Sequence, residues 1–557
     1  MSRSESMVGS GQGSGERLTR KRPIPILVVF AAALAMVLGA CQGPADSGNK
    51  KQAAKTVVMA MNQGSLRTLD PNNAYEPEWF VIGHQMYQTL VSFEGDDVSK
   101  VTPLLAEKWS VSPDGKTYTF DLDQRAKFSD GAPVTAEDVV FSLMRFKNTQ
   151  GPGAWLVDNM EGATAESPTQ VNVTLAKPDV SFLAILTSPS LGIVNAKTVR
   201  SQGGTDAADA AKTDKAQPWL NEHSAGSGPF VLKNWQRNEE LVLERNPNYW
   251  GTAPDVERVS IKFVGDTNSQ LQTVQRGDAD IALDLTPDQI AGLPANGPVQ
   301  VARTAALGVM YLGWTADAAQ DPALAKRDNW DAIRYALDYS QIVELAKGAG
   351  ERAPGIVPGA LAGGLDESKA VTQDLDAARA ALAKAGNPDG FEFTMAYASQ
   401  SNAAGVSFDV VAQKIQSDLK NVGITVKLKP ELQAQFYSDY RGGKLPAVLH
   451  WWLADYADAL NFLPVFVPPG SVAETRQHWP ADAQNKELVE LAESSLSTTD
   501  EGQRAQIVQQ AQTILNTTGP YAPLIDLQRQ VAYNAENISD LVPNPIWVVD
   551  FAHLTTK

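Results

Sequence analysis

The stretch PLLAEKWSVSPDGKTYTFDLDQRAKFSDGAPVTAEDVVFSLMRF, residues 103–146, decides how this 557-residue chain is read. Trp109 and Val111 alternate with polar neighbours, Pro113, Asp114 and Gly115 form a turn, and Tyr118, Phe120 and Leu122 resume the alternation. Two period-two runs joined by a short turn containing glycine predict a β-hairpin. After a second turn at Asp130 and Gly131, Thr135 stands three residues before Asp138, the spacing of a capping box. The helix behind that cap aligns Ala136, Val139, Val140, Leu143 and Phe146 on one face. Hairpin and helix make an αβ unit with one apolar side and no chemistry of its own.

The order of these parts resembles the diagnostic segment of the bacterial extracellular solute-binding proteins of family 5, the peptide and nickel type that serves ATP-driven importers. A second stretch, GSGPFVLKNWQRNEELVLERNPNYWG at 226–251, resembles the same family in its Gly-Pro-Phe turn, its Leu-Glu-Arg-Asn strand end and its Asn-Tyr-Trp close. Gly226 and Gly228 read as turn glycines ahead of a strand. Three glycines spaced for a dinucleotide are absent, so no phosphate cradle is implied. The resemblance covers about residues 56–550. It implies an α/β, periplasmic-binding-protein-like fold of class II, with two lobes around a hinged cleft and an extra subdomain in the first lobe.

Composition agrees with that size. At 43% hydrophobic and 20% charged residues the chain is ordinary globular material, too long for one core. The formal charge of −17 argues against nucleic acid, which needs a basic face. Segment 1–40 carries five Lys or Arg against Glu5 and Glu16, a net +3 that leaves −20 on the rest. Its basic residues up to Arg22 precede an apolar run, 24–40, and then the only cysteine, in Leu38-Gly39-Ala40-Cys41. This resembles the lipobox of bacterial lipoproteins, with 1–40 as signal peptide, Cys41 as the lipidated residue and 41–55 as a polar tether. The alternative is a single membrane anchor, since the run is near the minimum spanning length. One cysteine excludes a disulfide within a monomer.

Further along, 56–61 reads as a strand, 66–71 as loop, 79–93 as a helix running into a strand, 171–175 as a strand and 201–226 as a mobile surface insertion. A βαβ unit follows, with strands 259–264 and 280–285 flanking helix 268–276, which makes the strands parallel. Segments 299–306 and 309–314 carry the chain onward, where the resemblance implies a passage to the second lobe. Helices 331–347 and 376–385 precede strands 391–397, 424–428 and 447–452, with helices 408–419 and 433–440 between them. That order implies a parallel sheet covered by helices. Helices 486–496 and 500–516 complete the lobe. The implied division is first lobe 56–90, 226–307 and 523–557, extra subdomain 91–225, and second lobe 308–522.

Ligands of open parallel sheets lie beyond the carboxyl ends of the strands. Those ends carry Asn62 and Gln63 in one lobe, and Tyr397, Ser399, Gln400, Trp451, Trp452, Asp455 and Tyr456 in the other, with Trp314 and Tyr311 near the passage. Consecutive Trp451 and Trp452 point to opposite faces, so one faces the core. The third resemblance is WWLADYADALNFL, 451–463: in peptide-binding members an Ala-Asp-Tyr motif here supplies the carboxylate for the ligand's α-ammonium group, and Asp455 holds that position. Ala459 stands where a proline is usual, and members for other solutes keep a similar motif, which leaves the ligand class open. A loop-capping role is the other account of Asp455.

Catalytic motifs of the HExxH, GxSxG and GxxxxGK[ST] kinds are absent. Of the five histidines only His450 lies beside the expected cleft, where a metal chelate would recruit it. The pair Asp455 and Asp458 has the residue types of a glycosidase without further support. The reading is a lipid-anchored, monomeric, extracytoplasmic binding protein without cofactor or nucleic acid. It captures a short peptide for the permease subunits of an importer and is bound to the membrane through Cys41. Oligosaccharides, metal chelates and, from another class, a secreted hydrolase are the alternatives.

Overall fold

A computed structural model describes residues 55–64, 66–399, 401–539 and 541–557; the signal segment, Cys41 and Gln400 lie outside the described residues. Strand Thr56–Met61 (TVVMAM) is rich in β-branched and apolar residues and lies between Arg258–Phe263 and Ile281–Ala282, parallel to both. Helix Thr267–Arg276 is the crossover. Asp266 caps it by accepting from the Ser269 N–H at 2.8 Å, and it stops at Gly277, whose φ of +75° suits glycine. At the far end, strands Thr425–Glu431, Glu392–Ala398 and Ala447–Leu453 run parallel in that order, with helices Phe408–Lys420 and Gln433–Arg441 as their crossovers. Both parallel units have the topology expected from the alternating strand and helix patterns.

Between the two groups run two long antiparallel strands, Val299–Trp314 and Tyr521–Asn534, which join everything into one 11-stranded sheet. The two segments expected at 299–306 and 309–314 are therefore a single strand. The interruption is local: Leu307 is left-handed at φ +48°, and the pairing register shifts between Ala305 and Val309. Gly308 follows, and a Cβ there would stand 2.5 Å from Leu453 Cδ2. Separate hydrophobic clusters fill the two lobes.

The hairpin of the opening stretch, Ala106–Val111 and Thr117–Leu122, is the start of a four-stranded antiparallel sheet completed by Gln170–Leu175 and Met160–Ser167. Helix Ala136–Thr149 packs on it over a third core containing Phe120, Val139, Leu143 and Phe146. The capping box forms: the Thr135 N–H donates to Asp138 Oδ2 at 2.9 Å, an arrangement worth about 1 kcal/mol. The other oxygen of Asp138 accepts from the Ala196 N–H at 2.8 Å, tying the cap to the following segment.

Two expectations change. Residues 201–226 are not a loose insertion: Asp214 accepts from Arg145 Nε at 2.7 Å, Asn221 accepts from the Leu69 N–H at 2.8 Å, and Ala216 and Leu220 are fully buried. The same Arg145 donates to both oxygens of Asp70 at 2.7 and 2.8 Å, so one buried guanidinium joins three distant segments. Gly226 and Gly228 are glycines because of close approach rather than turn conformation: a Cβ would lie 2.1 Å from Met86 O and 2.5 Å from Gln85 O respectively.

Candidate ligand-binding cleft

Strand Ala447–Leu453 pairs with the crossing strand through Leu453 and Gly308, and the chain then turns so that the Ala454 N–H donates to Leu307 O at 2.8 Å. That turn carries Asp455 out beyond the carboxyl end of the strand, over the crossing strands and toward the first lobe. There Tyr75, just before helix Pro77–Met86, donates its phenol to Asp455 Oδ1 at 3.1 Å. The Asp455 N–H is held by Asn461 Oδ1 at 3.0 Å, which fixes the loop.

Around this contact lies a cavity of about 180 Å³. Its walls come from the first lobe and subdomain (Tyr75, Phe80, Thr187, Ser188), from the second lobe (Leu453, Asp455, Tyr456), from the crossing strands (Ala306, Leu307, Arg529) and from Ile546 of the C-terminal segment. Phe80, Leu307, Leu453 and Ile546 are apolar; Asp455 and Arg529 are its charged groups. Burial pushes the Asp455 carboxyl up from its ordinary value, against hydrogen bonds from Tyr75 and Asn461 that lower it. Burial likewise lowers Arg529, against the fields of Asp284 and Glu78. Among the described residues Asp455 has no ion-pair partner. A larger cavity, about 700 Å³, is lined by His84, Tyr249, Trp547, Asp550 and others drawn from the chain before residue 250 and after 541, so the second lobe contributes nothing to its walls.

Of the residues expected at the site, the structure brings Asp455 and Tyr456 onto the cavity wall. Burial pushes the Tyr456 phenol up to about 12. Trp451 and Trp452 are half-buried and packed on the second-lobe cluster, off the wall. Trp452 donates its indole N–H to Asn461 O at 3.0 Å and meets the Phe466 ring edge to face at 5.9 Å. Trp314 is a core residue, 1% exposed and tilted against Trp330 at 6.4 Å. Tyr397 belongs to the same core, only 4% exposed. Ser399 ties its loop down, its hydroxyl donating to Glu431 O at 3.1 Å. Asn62 is exposed, its N–H donating to Asp284 Oδ2 at 2.6 Å and its side-chain oxygen accepting from the Gly64 N–H at 3.0 Å. Gln63 Oε1 accepts from the Asn238 N–H. Asn62 closes a turn at the strand end, and Gln63 ties that end to the segment around Asn238.

Tyr311 is fully buried, its hydroxyl 2.6 Å from that of Tyr440. His450 is enclosed by Tyr311, Phe436, Tyr437 and Tyr440, and burial lowers it to about 3, so it is a neutral packing histidine. Asp458 is paired with Arg504 at 2.7 Å and caps Leu460, so it is not the second member of a carboxylate pair with Asp455. Among the described residues no cluster of His, Cys, Asp or Glu is arranged to hold a metal. Sequence reasoning missed Tyr75, Phe80 and Arg529. Only Arg529 carried a signal, as a cation within an otherwise buried strand.

The family model described as "Bacterial extracellular solute-binding proteins, family 5 Middle" matches residues 100–473. The "Probable D,D-dipeptide-binding periplasmic protein DdpA" of Escherichia coli K12 is 30% identical over 499 residues, covering 88% of this chain and 92% of that protein. "Heme-binding protein A" of Haemophilus influenzae is 25% identical over 521 residues, covering 88% and 92%. The solved structure of HbpA2 from Haemophilus parasuis superposes with a TM-score of 0.80 at 24% identity, over 90% of this chain and all of that one, and shows the same fold. A family-model match over residues 100–473, with a relationship spanning 88% of the chain, establishes that this protein belongs to the bacterial extracellular solute-binding proteins of family 5.

Proposed function

We propose that this protein is the extracytoplasmic component of an ATP-binding-cassette importer, and that it captures short peptides between its lobes and delivers them to a membrane permease. The observation that carries the reading is Asp455, a partly buried carboxylate that makes no ion pair among the described residues, on the wall of a cavity lined by distant parts of the chain. Burying such a charge is costly, and a ligand α-ammonium group offsets that cost where a neutral solute leaves it in place. The name of the Escherichia coli relative points to the same ligand class. The cycle has no chemical step: the open form takes up solute, the lobes rotate together, and the closed form meets the permease. Higher affinity for the closed state drives the change. The protein acts as a monomer, held at the membrane by lipid on Cys41.

Other solutes have weaker support. Neither Trp451 nor Trp452, the platform expected for a sugar, nor His450, the residue expected for a metal chelate, lines the cavity. A thermal-shift screen tests the reading. Peptides at a hundredfold excess over Kd stabilise the native state by about 2.7 kcal/mol, and Asp455→Asn abolishes the response while the unliganded protein melts no lower than wild type. Stabilisation by sugars or chelates, with none by peptides, overturns it.

A further inference from the structure

We propose that the cavity of about 700 Å³ outside the cleft is a second binding site, built for a small aromatic carboxylate whose ring enters the cavity and whose carboxylate meets Gln88, Tyr249 and His553. This goes beyond the peptide reading and does not depend on it. No residue lines both cavities: Pro545 and Ile546 line the cleft, and their chain neighbours Asn544 and Trp547 line this one.

The walls suit a ring. Phe93, Leu104, Tyr249, Val542, Trp547 and Leu554 supply apolar surface, and the volume falls in the range of about 300–1,000 Å³ usual for small-molecule sites. The His84 ring lies parallel to the Trp547 indole at 4.0 Å, and the Phe93 ring stands 6.4 Å from it at 25°. The indole is thus fixed by its neighbours, and an aromatic guest gains oriented contacts on such a wall as well as burial.

The polar groups specify the head. Asn544 donates to Gly95 O at 2.6 Å and accepts from the Ile546 N–H at 2.7 Å, and the Thr102 hydroxyl donates to Ser92 O at 3.1 Å, so these are already engaged. Three donors are not. Gln88 is 4% exposed. The Trp250 indole N–H, which can only donate, occupies its Oε1 at 2.8 Å; the amide nitrogen is therefore its other arm, and it has no acceptor among the described residues. A buried donor left so is costly. The Tyr249 phenol makes no hydrogen bond among the described residues either, and burial with the field of Asp550 pushes it up to about 12, so it keeps its proton. His553 places Nδ1 2.7 Å from Asp550 Oδ2, which leaves Nε2 uncommitted on a ring 85% exposed. That hydrogen bond and the field of Asp550 raise the imidazole above its ordinary value and favour the form in which Nε2–H donates.

The three donors are grouped. Tyr249 feels the charge of Asp550, to which His553 is bonded, and Trp250, next to Tyr249 in the chain, holds Gln88. The acids of the wall do not serve them: Asp550 is engaged by His84, His553 and the Ala552 N–H at 3.5, 2.7 and 3.0 Å, and Glu94 is exposed to water at the end of strand Val91–Glu94. A ligand carboxylate, which only accepts and has about four lone-pair positions, answers all three.

Calorimetric titration tests the site with indole-3-acetate, its methyl ester and acetate. Wild type binds indole-3-acetate about tenfold more tightly than the ester, the difference expected for hydrogen bonds to a charged rather than a neutral acceptor, and gives no heat with acetate, which lacks the ring. Tyr249→Phe and His553→Gln each weaken the acid about threefold or more and leave the ester nearly unchanged. Asp455→Asn, in the cleft, binds indole-3-acetate as wild type does. His553 is exposed and the acid–ester comparison needs no variant, so misfolding of Tyr249→Phe leaves the test decisive. No binding of indole-3-acetate by wild type, equal binding of acid and ester, loss of binding in Asp455→Asn, or unchanged binding in both folded variants overturns the second site. None of these results bears on whether peptides bind in the cleft, which the thermal-shift screen decides separately.

Discussion

Tyr75→Phe isolates one bond that crosses the cleft. The phenol of Tyr75, from the first lobe, donates to Asp455 Oδ1, from the second, at 3.1 Å. The ring itself is held by edge-to-face contacts with Phe80 at 5.8 Å and Trp155 at 6.4 Å, which phenylalanine keeps. Only the hydroxyl is lost. A hydrogen bond to a charged acceptor contributes about 1.5–3 kcal/mol net, and partial solvent access places this one near the lower end, about 1.5 kcal/mol. That is roughly tenfold in an equilibrium constant. Tyr75 and Asn461 are the hydrogen-bond donors to the Asp455 carboxyl among the described residues, and a carboxylate has acceptor positions to spare, so a ligand ammonium binds without displacing Tyr75. In the proposed cycle the bond therefore supports the closed state with and without ligand. Small-angle scattering of the unliganded variant should show a shift toward an open form, and calorimetry with a bound peptide should show affinity weakened about tenfold with the melting temperature nearly unchanged. Wild-type affinity together with unchanged scattering would show that the bond does not clasp the lobes, and the reasoning fails.

Other consequences follow from buried charge. Arg145→Met leaves Asp70 and Asp214 buried around a lost cation, which should lower unfolding stability by about 3–5 kcal/mol. Urea denaturation checks this, with partial recovery expected in the triple variant that adds Asp70→Asn and Asp214→Asn; a loss under about 1 kcal/mol contradicts the account. Asp526 lies in the crossing strand with one oxygen accepting from the Gly359 N–H at 2.7 Å and the other buried without a partner, and burial pushes its carboxyl up to about 7 from 3.8. Between those values the folded state holds a proton that the unfolded state has released, so stability falls as pH rises from about 4 to about 7. Asp526→Asn should remove that slope and raise stability at pH 8, approaching ~4 kcal/mol at ~1.4 kcal/mol per unit; parallel pH profiles of melting for variant and wild type would refute it.

Local signals were legible because their partners are near in sequence. The hairpin, the reciprocal Thr135–Asp138 cap and the two parallel units each rest on spacing within a few residues or on the order of strands and helices. The break expected between 306 and 309 was also a real feature, since Leu307 leaves regular geometry and the pairing register shifts there, but the strand continues through it. What stayed hidden depends on side-chain direction and distant contacts. Trp314 and Tyr397 are aromatic and lie at or near strand ends, which suits a cleft or a core equally, and packing on the second-lobe cluster places them in the core. Tyr75 sits outside any periodic pattern, and its partner is 380 positions away. The small residues of 201–226 resemble a linker until Asp214 and Asn221 are seen to reach into buried polar networks.

The ladder that runs through both halves, interrupted at the bulge around Leu307, has a mechanical corollary. Sliding or pulling the halves apart would break backbone hydrogen bonds along Val299–Trp314 and Tyr521–Asn534, whereas bending or twisting those two ribbons keeps the bonds intact. The soft deformations of the molecule are therefore flexure and torsion, concentrated where Leu307 already departs from regular geometry.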